Sequence, residues 1–258
     1  RLARRLFATE SFAFLVALTL LANMTFLAYA TGGLETMQQT LLVVSVAALL
    51  LPVTEVARPH DVARRVGAGL CAGLAVLTRM DSAVLVTVWV VAYLVAQWRR
   101  ESVTSRRTTT LVVSALQIGL PAAVLLVPWF LWKLDYYGEL LPNTFYAKSA
   151  ANPVIPFLYG VFYLAVFFFS YAAFLLIPRF LRQRRDLLAV PGVHQVLAVV
   201  PVWFLYICLV GGDFMEFRFM VPVLPVLAMV AAFLINRYRR TWTQVLLIAV
   251  LRGFPASH

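Results

Sequence analysis

The chain has 258 residues, of which 62% are hydrophobic and only 13% are charged, and its mean hydropathy is +0.87. Soluble domains are closer to half apolar and a quarter charged, so this composition excludes an ordinary soluble protein. The net charge of +11 could suggest a nucleic-acid partner, but the basic residues lie in short loops between apolar runs, which argues against nucleic acid.

Eight long apolar runs predict an all-α fold, a polytopic transmembrane helical bundle of about eight helices. The runs are continuous, whereas the strands of a membrane β-barrel would be short and alternating. They cover residues 11–31, 37–54, 66–78, 82–98, 109–132, 154–178, 192–211 and 219–236, and a C-terminal stub covers 243–251. We expect one transmembrane domain over residues 1–258.

The run at 66–78 is short for a span but contains the sequence GAGLCAG. Its Gly69 and Gly73 match the GxxxG pattern, which favours close contact between two helices. Helix packing is a sufficient explanation for this motif.

Basic residues predict which loops face the cytoplasm. Seventeen of the 22 Lys and Arg residues lie in alternate loops, near residues 1–5, 58–65, 99–107, 179–185 and 237–240. The positive-inside rule places these loops in the cytoplasm. Six of the eleven acids lie in the other loops, which are therefore predicted to face outward.

Common catalytic and metal-binding motifs are absent from the sequence. It contains no CxxC, HExxH, P-loop or GxSxG pattern, and its three histidines are scattered. Cys71 and Cys208 both lie inside apolar runs, where we interpret them as small buried hydrophobic residues.

The first two outward turns each contain charged residues. In YATGGLETMQQ, residues 29–39, Glu35 is either an acid at a helix start or a ligand for a metal or sugar, and Gln38 and Gln39 add polar groups. In LTRMDSAV, residues 77–84, Arg79 either neutralises Asp81 or binds an anion, and Asp81 could simply cap the next helix.

The third and fourth outward turns combine charge with aromatic residues. Residues 129–153 are rich in Trp and Tyr, which suits either a membrane-interface belt or a carbohydrate contact. This turn also contains Asn143 and Lys148. In LVGGDFMEFRFMVPVLP, residues 209–225, Asp213 and Arg218 predict either a plain salt bridge or two sides of one polar pocket.

Five segments recur in a characteristic order: an arginine-rich start, YATGGLET, GLAVLTRMD, YYGELLPNTFYAK and GGDFMEFRFMVPVLP. The set resembles the bacterial GT-C membrane glycosyltransferases. Within them it is most similar to actinobacterial arabinofuranosyltransferases of the terminal β-(1→2) kind and their relatives. The resemblance covers roughly residues 1–240.

The resemblance implies transfer of a sugar from a polyprenyl-phosphate donor to a cell-envelope glycan or lipid acceptor. The expected location is the outer face of a bacterial plasma membrane, in contact with membrane lipids. Substrate-binding candidates are Arg79, Asp81, Asn143, Lys148, Asp213 and Arg218. Glu35 and Asp213 are the candidate ligands for a divalent metal, Mg, Mn or Ca.

The sequence departs from the family pattern at its start. GT-C enzymes usually carry the catalytic aspartate in the first outer loop, and no such loop precedes RLARRLF. We therefore expect the N-terminal helices, the first outer loop and the general base to lie upstream of residue 1. Whether residues 1–258 are active by themselves is left open.

Two other functional classes are compatible with the composition. A transporter or flippase for a lipid-linked or anionic substrate would also need charged residues and broken helices, but its site would lie near the midplane and its halves would show a repeat. A structural subunit is the other alternative. Charge clustered on one face and the lack of a visible repeat favour the glycosyltransferase.

Overall fold

A computed structural model describes residues 2–7, 10–51, 61–100, 104–139 and 154–236. These residues form a helical bundle without strands. The helices are α1 Leu2–Phe7, α2 Glu10–Leu21, α3 Met24–Thr31, α4 Glu35–Leu50, α5 Asp61–Thr78, α6 Ser82–Arg100, α7 Thr104–Tyr137, α8 Val154–Ser170, α9 Ile177–Ala189, α10 Val193–Leu197, α11 Val199–Val210 and α12 Leu224–Asn236. Short 3₁₀ segments, Ala173–Leu176 and Arg218–Val223, precede α9 and α12.

Length and composition confirm a multi-pass helical membrane protein. Within the described residues, four segments are long and apolar enough to cross a membrane: Ser82–Arg99, Arg107–Tyr137, Val193–Val210 and Arg218–Ile235. The number rises to six if two bent helix pairs each count as one span. The expected count of eight stays a prediction, and the C-terminal stub at 243–251 lies outside the described residues.

Two apolar runs predicted as continuous helices are broken. The run at 11–31 bends by 71° between α2 and α3, where Asn23 accepts a hydrogen bond from the backbone N–H of Phe26 and so caps α3. The run at 154–178 bends by 76° after α8, where Ala172 adopts a left-handed conformation with φ 46°. Neither break contains a glycine or proline, the residues that most clearly mark a helix end.

The arginine-rich stretch predicted as a loop at 179–185 is helical. It forms the middle of α9, an amphipathic helix in which Arg179, Arg182 and Arg185 lie on the side opposite Ile177 and Phe180, while Arg184 lies on the apolar side. A helix of this kind typically lies along a membrane surface instead of crossing it.

Glycines permit the closest helix contacts in the bundle. A Cβ on Gly69 would lie 2.2 Å from the carbonyl oxygen of Ile118, and one on Gly73 would lie 3.2 Å from the Cα of Ala122. Both glycines thus face the backbone of α7, which confirms the helix contact predicted from GxxxG. Gly160 of α8 approaches the backbone of α11 in the same way.

Two fully buried tryptophans fix the helices beneath the charged turns. The indole N–H of Trp203, on α11, donates to the carbonyl oxygen of Phe219 at 2.6 Å. The indole N–H of Trp89, on α6, donates to the carbonyl oxygen of Val196 at 3.1 Å. Since a buried N–H must find an acceptor, these bonds hold α11 against the 3₁₀ segment before α12 and α6 against α10.

Gly69→Val should destabilise the fold because its side chain would overlap the α7 backbone. Overpacking of this kind costs roughly 1–3 kcal/mol. Thermal unfolding in detergent, followed by tryptophan fluorescence, measures the loss. Gly119→Ala is the matched control, since no atom lies within 4 Å of a Cβ built there. An equally large loss in the control would contradict the close contact at Gly69.

Candidate functional site

Three of the four charged turns meet at one end of the bundle. The residues that meet there, called the charged-turn cluster below, are Tyr29, Glu35, Arg79, Asp81, Asp213, Glu216 and Arg218. They come from the turns at 29–39, 77–84 and 209–225, as the sequence analysis predicted.

Arg79 binds two carboxylates from different turns. Its Nε and Nη2 donate to the two oxygens of Asp81, at 3.2 and 2.7 Å, and its Nη1 donates to Glu35 at 3.0 Å. The side chains of Arg79 and Asp81 are 12% and 9% exposed, whereas that of Glu35 is 42% exposed. Arg79 therefore neutralises Asp81 and at the same time joins the start of α4 to the start of α6.

A buried glutamine completes the bonding of Asp81. The side-chain amide of Gln39, which is 1% exposed, donates to Asp81 at 2.7 Å and to the hydroxyl of Ser82 at 3.0 Å. Asp81 thus accepts three hydrogen bonds, two from Arg79 and one from Gln39. These three bonds hold the Asp81 side chain in place between the two turns.

The protonation of this group follows from its contacts. The pKa of Glu35 is lowered most by its own backbone N–H; burial raises it, but Arg79 and Arg218 lower it further, so the net shift is downward. Burial disfavours the charged form of Arg79, but its hydrogen bonds to Asp81 and the charges of Asp81 and Glu35 outweigh this and raise its pKa. Glu35 and Arg79 are therefore both charged at neutral pH.

The fourth turn pairs Asp213 with Arg218. Gly211 and Gly212 have φ of 87° and 72°, which glycine adopts easily, and they end α11. Asp213 is then buried to 3% side-chain exposure, where one carboxylate oxygen accepts from the backbone N–H of Phe214 and the other accepts from Nε of Arg218 at 2.5 Å. The predicted salt bridge is confirmed.

Tyrosines connect the fourth turn to the rest of the cluster. The hydroxyl of Tyr29 donates to the backbone carbonyl of Glu216 at 2.9 Å. The hydroxyl of Tyr163 accepts from the backbone N–H of Phe219 at 3.2 Å, and the guanidinium of Arg79 lies 5.7 Å from the ring centre of Phe219. Sequence reasoning included Tyr29 in the first turn without giving it a role, and it missed Tyr163, which lies inside an apolar run and shows no polar pattern.

The third charged turn is described only up to residue 139. Lys133, near the end of α7, has its Nζ 3.8 Å from the sulfur of Met80 and 5.2 Å from the ring centre of Trp129. The start of this turn therefore reaches the second turn. Asn143 and Lys148 lie outside the described residues, so their predicted roles stay predictions.

The two arginines of the cluster differ in what they leave available. All three guanidinium nitrogens of Arg79 bind carboxylates. Arg218 uses only Nε, and its two terminal nitrogens make no hydrogen bond to any residue that the structure describes. With its side chain 20% exposed, Arg218 can accept an anion without giving up Asp213.

The two predicted metal ligands, Glu35 and Asp213, each bind an arginine. Across residues 2–7, 10–51, 61–100, 104–139 and 154–236, no three His, Cys, Asp or Glu side chains are grouped to hold an ion. A divalent metal on the two carboxylates stays a prediction.

A comparison with models of protein families identifies one family. The family model described as dolichyl-phosphate-mannose-protein mannosyltransferase matches residues 1–132 of the chain. That range contains Glu35, Arg79 and Asp81, while Asp213 and Arg218 lie beyond it. No curated protein and no solved structure matches the chain.

Arg79→Gln should unfold the protein more readily, because it leaves the buried carboxylate of Asp81 without its cation. Breaking a buried pair in this way costs roughly 3–5 kcal/mol. Thermal unfolding of the purified protein measures the change. Glu35→Gln removes the exposed partner of the same arginine and should cost at most about 1 kcal/mol. Equal losses in the two variants would contradict the structural role of the Arg79–Asp81 pair.

Proposed function

We propose, since the chain belongs to the dolichyl-phosphate-mannose-protein mannosyltransferase family, that it transfers a sugar from a polyprenyl-phosphate donor. The proposed acceptor is a cell-envelope glycan or lipid on the outer face of the bacterial plasma membrane. Family membership makes the chain a GT-C membrane glycosyltransferase; the donor, the acceptor and the orientation are the proposed part.

The observation that supports this proposal most is the arrangement of Arg218. A buried carboxylate, Asp213, holds Nε of Arg218 at 2.5 Å and leaves both terminal nitrogens available. A planar guanidinium with two available donors matches the geometry of a phosphate group. We therefore assign the donor phosphate to Arg218 and the positioning of that arginine to Asp213.

The chemistry explains why a cation is needed there. The acceptor hydroxyl attacks the anomeric carbon of the sugar, a new carbon–oxygen bond forms, and the bond from that carbon to the phosphate oxygen breaks. The departing polyprenyl phosphate gains negative charge as that bond breaks. A fixed guanidinium stabilises this charge more in the transition state than in the bound donor. The hydroxyl proton passes to a general base.

The remaining candidate residues have supporting roles in this proposal. Arg79 and Asp81 hold the turns together, and the positive charge of Arg79 is already balanced by two carboxylates. Asn143 and Lys148 are proposed as further contacts to the sugar and the phosphate. A divalent metal on Glu35 and Asp213 remains a prediction; loss of transfer in a chelator, restored by added Mg²⁺ or Mn²⁺, would support it.

The transferred sugar is the finer question. The ordered motifs resemble arabinofuranosyltransferases, whereas the matching family is described by mannose transfer. We propose arabinofuranose as the sugar. Parallel assays with decaprenyl-phosphate arabinofuranose and polyprenyl-phosphate mannose decide between the two, because only one donor should give labelled product.

Arg218→Ala in the full-length protein should lower the rate of transfer by roughly 100-fold, as expected for loss of one preorganised donor to a developing anion. Arg218→Lys keeps the charge and should recover part of that loss. The measurement is incorporation of labelled sugar from the polyprenyl-phosphate donor into acceptor by membranes that contain equal amounts of each variant.

Arg99→Ala is the matched control, since Arg99 is an exposed arginine near the end of α6. It should transfer at the wild-type rate. Unchanged turnover in Arg218→Ala would remove Arg218 from the donor site. Wild-type membranes that use neither donor would instead contradict the proposed reaction.

A further inference from the structure

A second site begins beside the fourth charged turn, where Phe217 packs on Phe167 and Tyr171, and extends to α9. A cavity of about 360 Å³ opens between α2, α8, α9 and α12. Its size is within the range of small-ligand sites. None of the predicted substrate or metal residues lines it.

The walls of this cavity are almost purely apolar. Three of the lining residues carry polar groups, namely Thr19, Asn23 and Tyr171. The Thr19 hydroxyl donates to the carbonyl oxygen of Leu15, the Asn23 side-chain oxygen accepts from Phe26, and the Tyr171 hydroxyl binds Thr25. These groups are already bonded to the protein, so the cavity suits a hydrocarbon chain.

Helix α9 provides a basic edge to the cavity. Its Ile177 and Phe180 line the cavity and remain 53% and 40% exposed, so the cavity is open on this side. Arg184 follows Phe180 by four residues and therefore lies on the same helix face. Arg182 and Arg185 are also exposed.

The charge of α9 identifies the kind of headgroup. The helix contains four arginines and a single acid, Asp186. Exposed arginines next to an apolar surface are the typical receptor for an anionic lipid headgroup. A lipid chain in the cavity would bring its headgroup to this edge.

We infer that the cavity and the arginines of α9 bind one anionic phospholipid, with an acyl chain in the cavity and the phosphate at Arg184, where the exposed Arg182 and Arg185 on the other side of the helix add positive charge. The headgroup end of this site, at α9, is distinct from the proposed phosphate contact at Arg218, although the cavity begins beside the fourth turn. The positive-inside pattern predicts that α9 lies at the cytoplasmic face, whereas the donor phosphate is proposed at the opposite face. A phospholipid therefore fits the site better than the polyprenyl donor does.

The test uses purified, delipidated full-length protein. Native mass spectrometry measures the binding of dioleoyl phosphatidylglycerol and of dioleoyl phosphatidylcholine, which differ in headgroup charge but not in their chains. We expect at least tenfold tighter binding of phosphatidylglycerol. The triple variant Arg182→Gln, Arg184→Gln and Arg185→Gln should weaken phosphatidylglycerol binding by roughly 100-fold and remove the preference. Arg99→Gln, an arginine away from the cavity, should leave it intact.

The acyl-chain pocket is tested by filling it. Ala231→Trp places a large side chain in the cavity and should abolish specific binding of both lipids. Ala63→Trp adds the same bulk at an exposed position of α5 and should have no effect. Ala231→Leu adds less bulk and should weaken lipid binding less than Ala231→Trp does. It replaces the tryptophan variant in the test if that variant unfolds in detergent.

Three results would overturn the inference. They are equal affinity of the wild type for the two lipids, full binding by both cavity-filled variants, and displacement of phosphatidylglycerol from the cavity by decaprenyl phosphate. The last result would assign the cavity to the donor chain. Sugar transfer by the α9 variants can be measured separately, so failure here leaves the proposed reaction standing.

Discussion

The guanidinium of Arg79 binds two carboxylates at once, one at the start of α4 and one just before α6. Three helices, α4, α5 and α6, begin or end at this interaction, so it determines how their turns sit relative to one another. Because Arg79 and Asp81 are largely buried, their attraction is weakly screened by water and the pair holds firmly. The fourth turn then packs on this platform through the ring of Phe219.

The two arginines of the cluster divide structural from chemical work. If both bound carboxylates through all three nitrogens, an incoming phosphate would compete with an ion pair at either one. If neither bound a carboxylate, four carboxylates would face one another across the turns. The observed arrangement avoids both costs, because Arg79 neutralises acids that belong to the scaffold and Arg218 keeps both terminal nitrogens available.

Much of this arrangement was predictable from sequence, and the rest was not for identifiable reasons. The pairing of Asp213 with Arg218 and the contact at Gly69 are encoded locally, by short spacing and by small residues. The apolar runs located the helices well, but the bends at Asn23 and Ala172 carry no glycine or proline. The first bend left only Asn23, a common helix N-cap, as a signal, and the second left none. The link from Arg79 to Glu35 spans 44 residues, and which arginine keeps available donors depends on geometry that one sequence does not reveal.

The bond from Tyr29 to residue 216 ends on a backbone carbonyl, which every amino acid offers equally. The side chain of Glu216 is exposed and makes no hydrogen bond to the residues that the structure describes. The join between the first and fourth turns is thus insensitive to the side chain at position 216, which can change during evolution without loosening the cluster. Position 29 has no such freedom, because only tyrosine supplies a hydroxyl at that reach. Related chains are therefore expected to keep tyrosine at position 29 while the residue at position 216 varies.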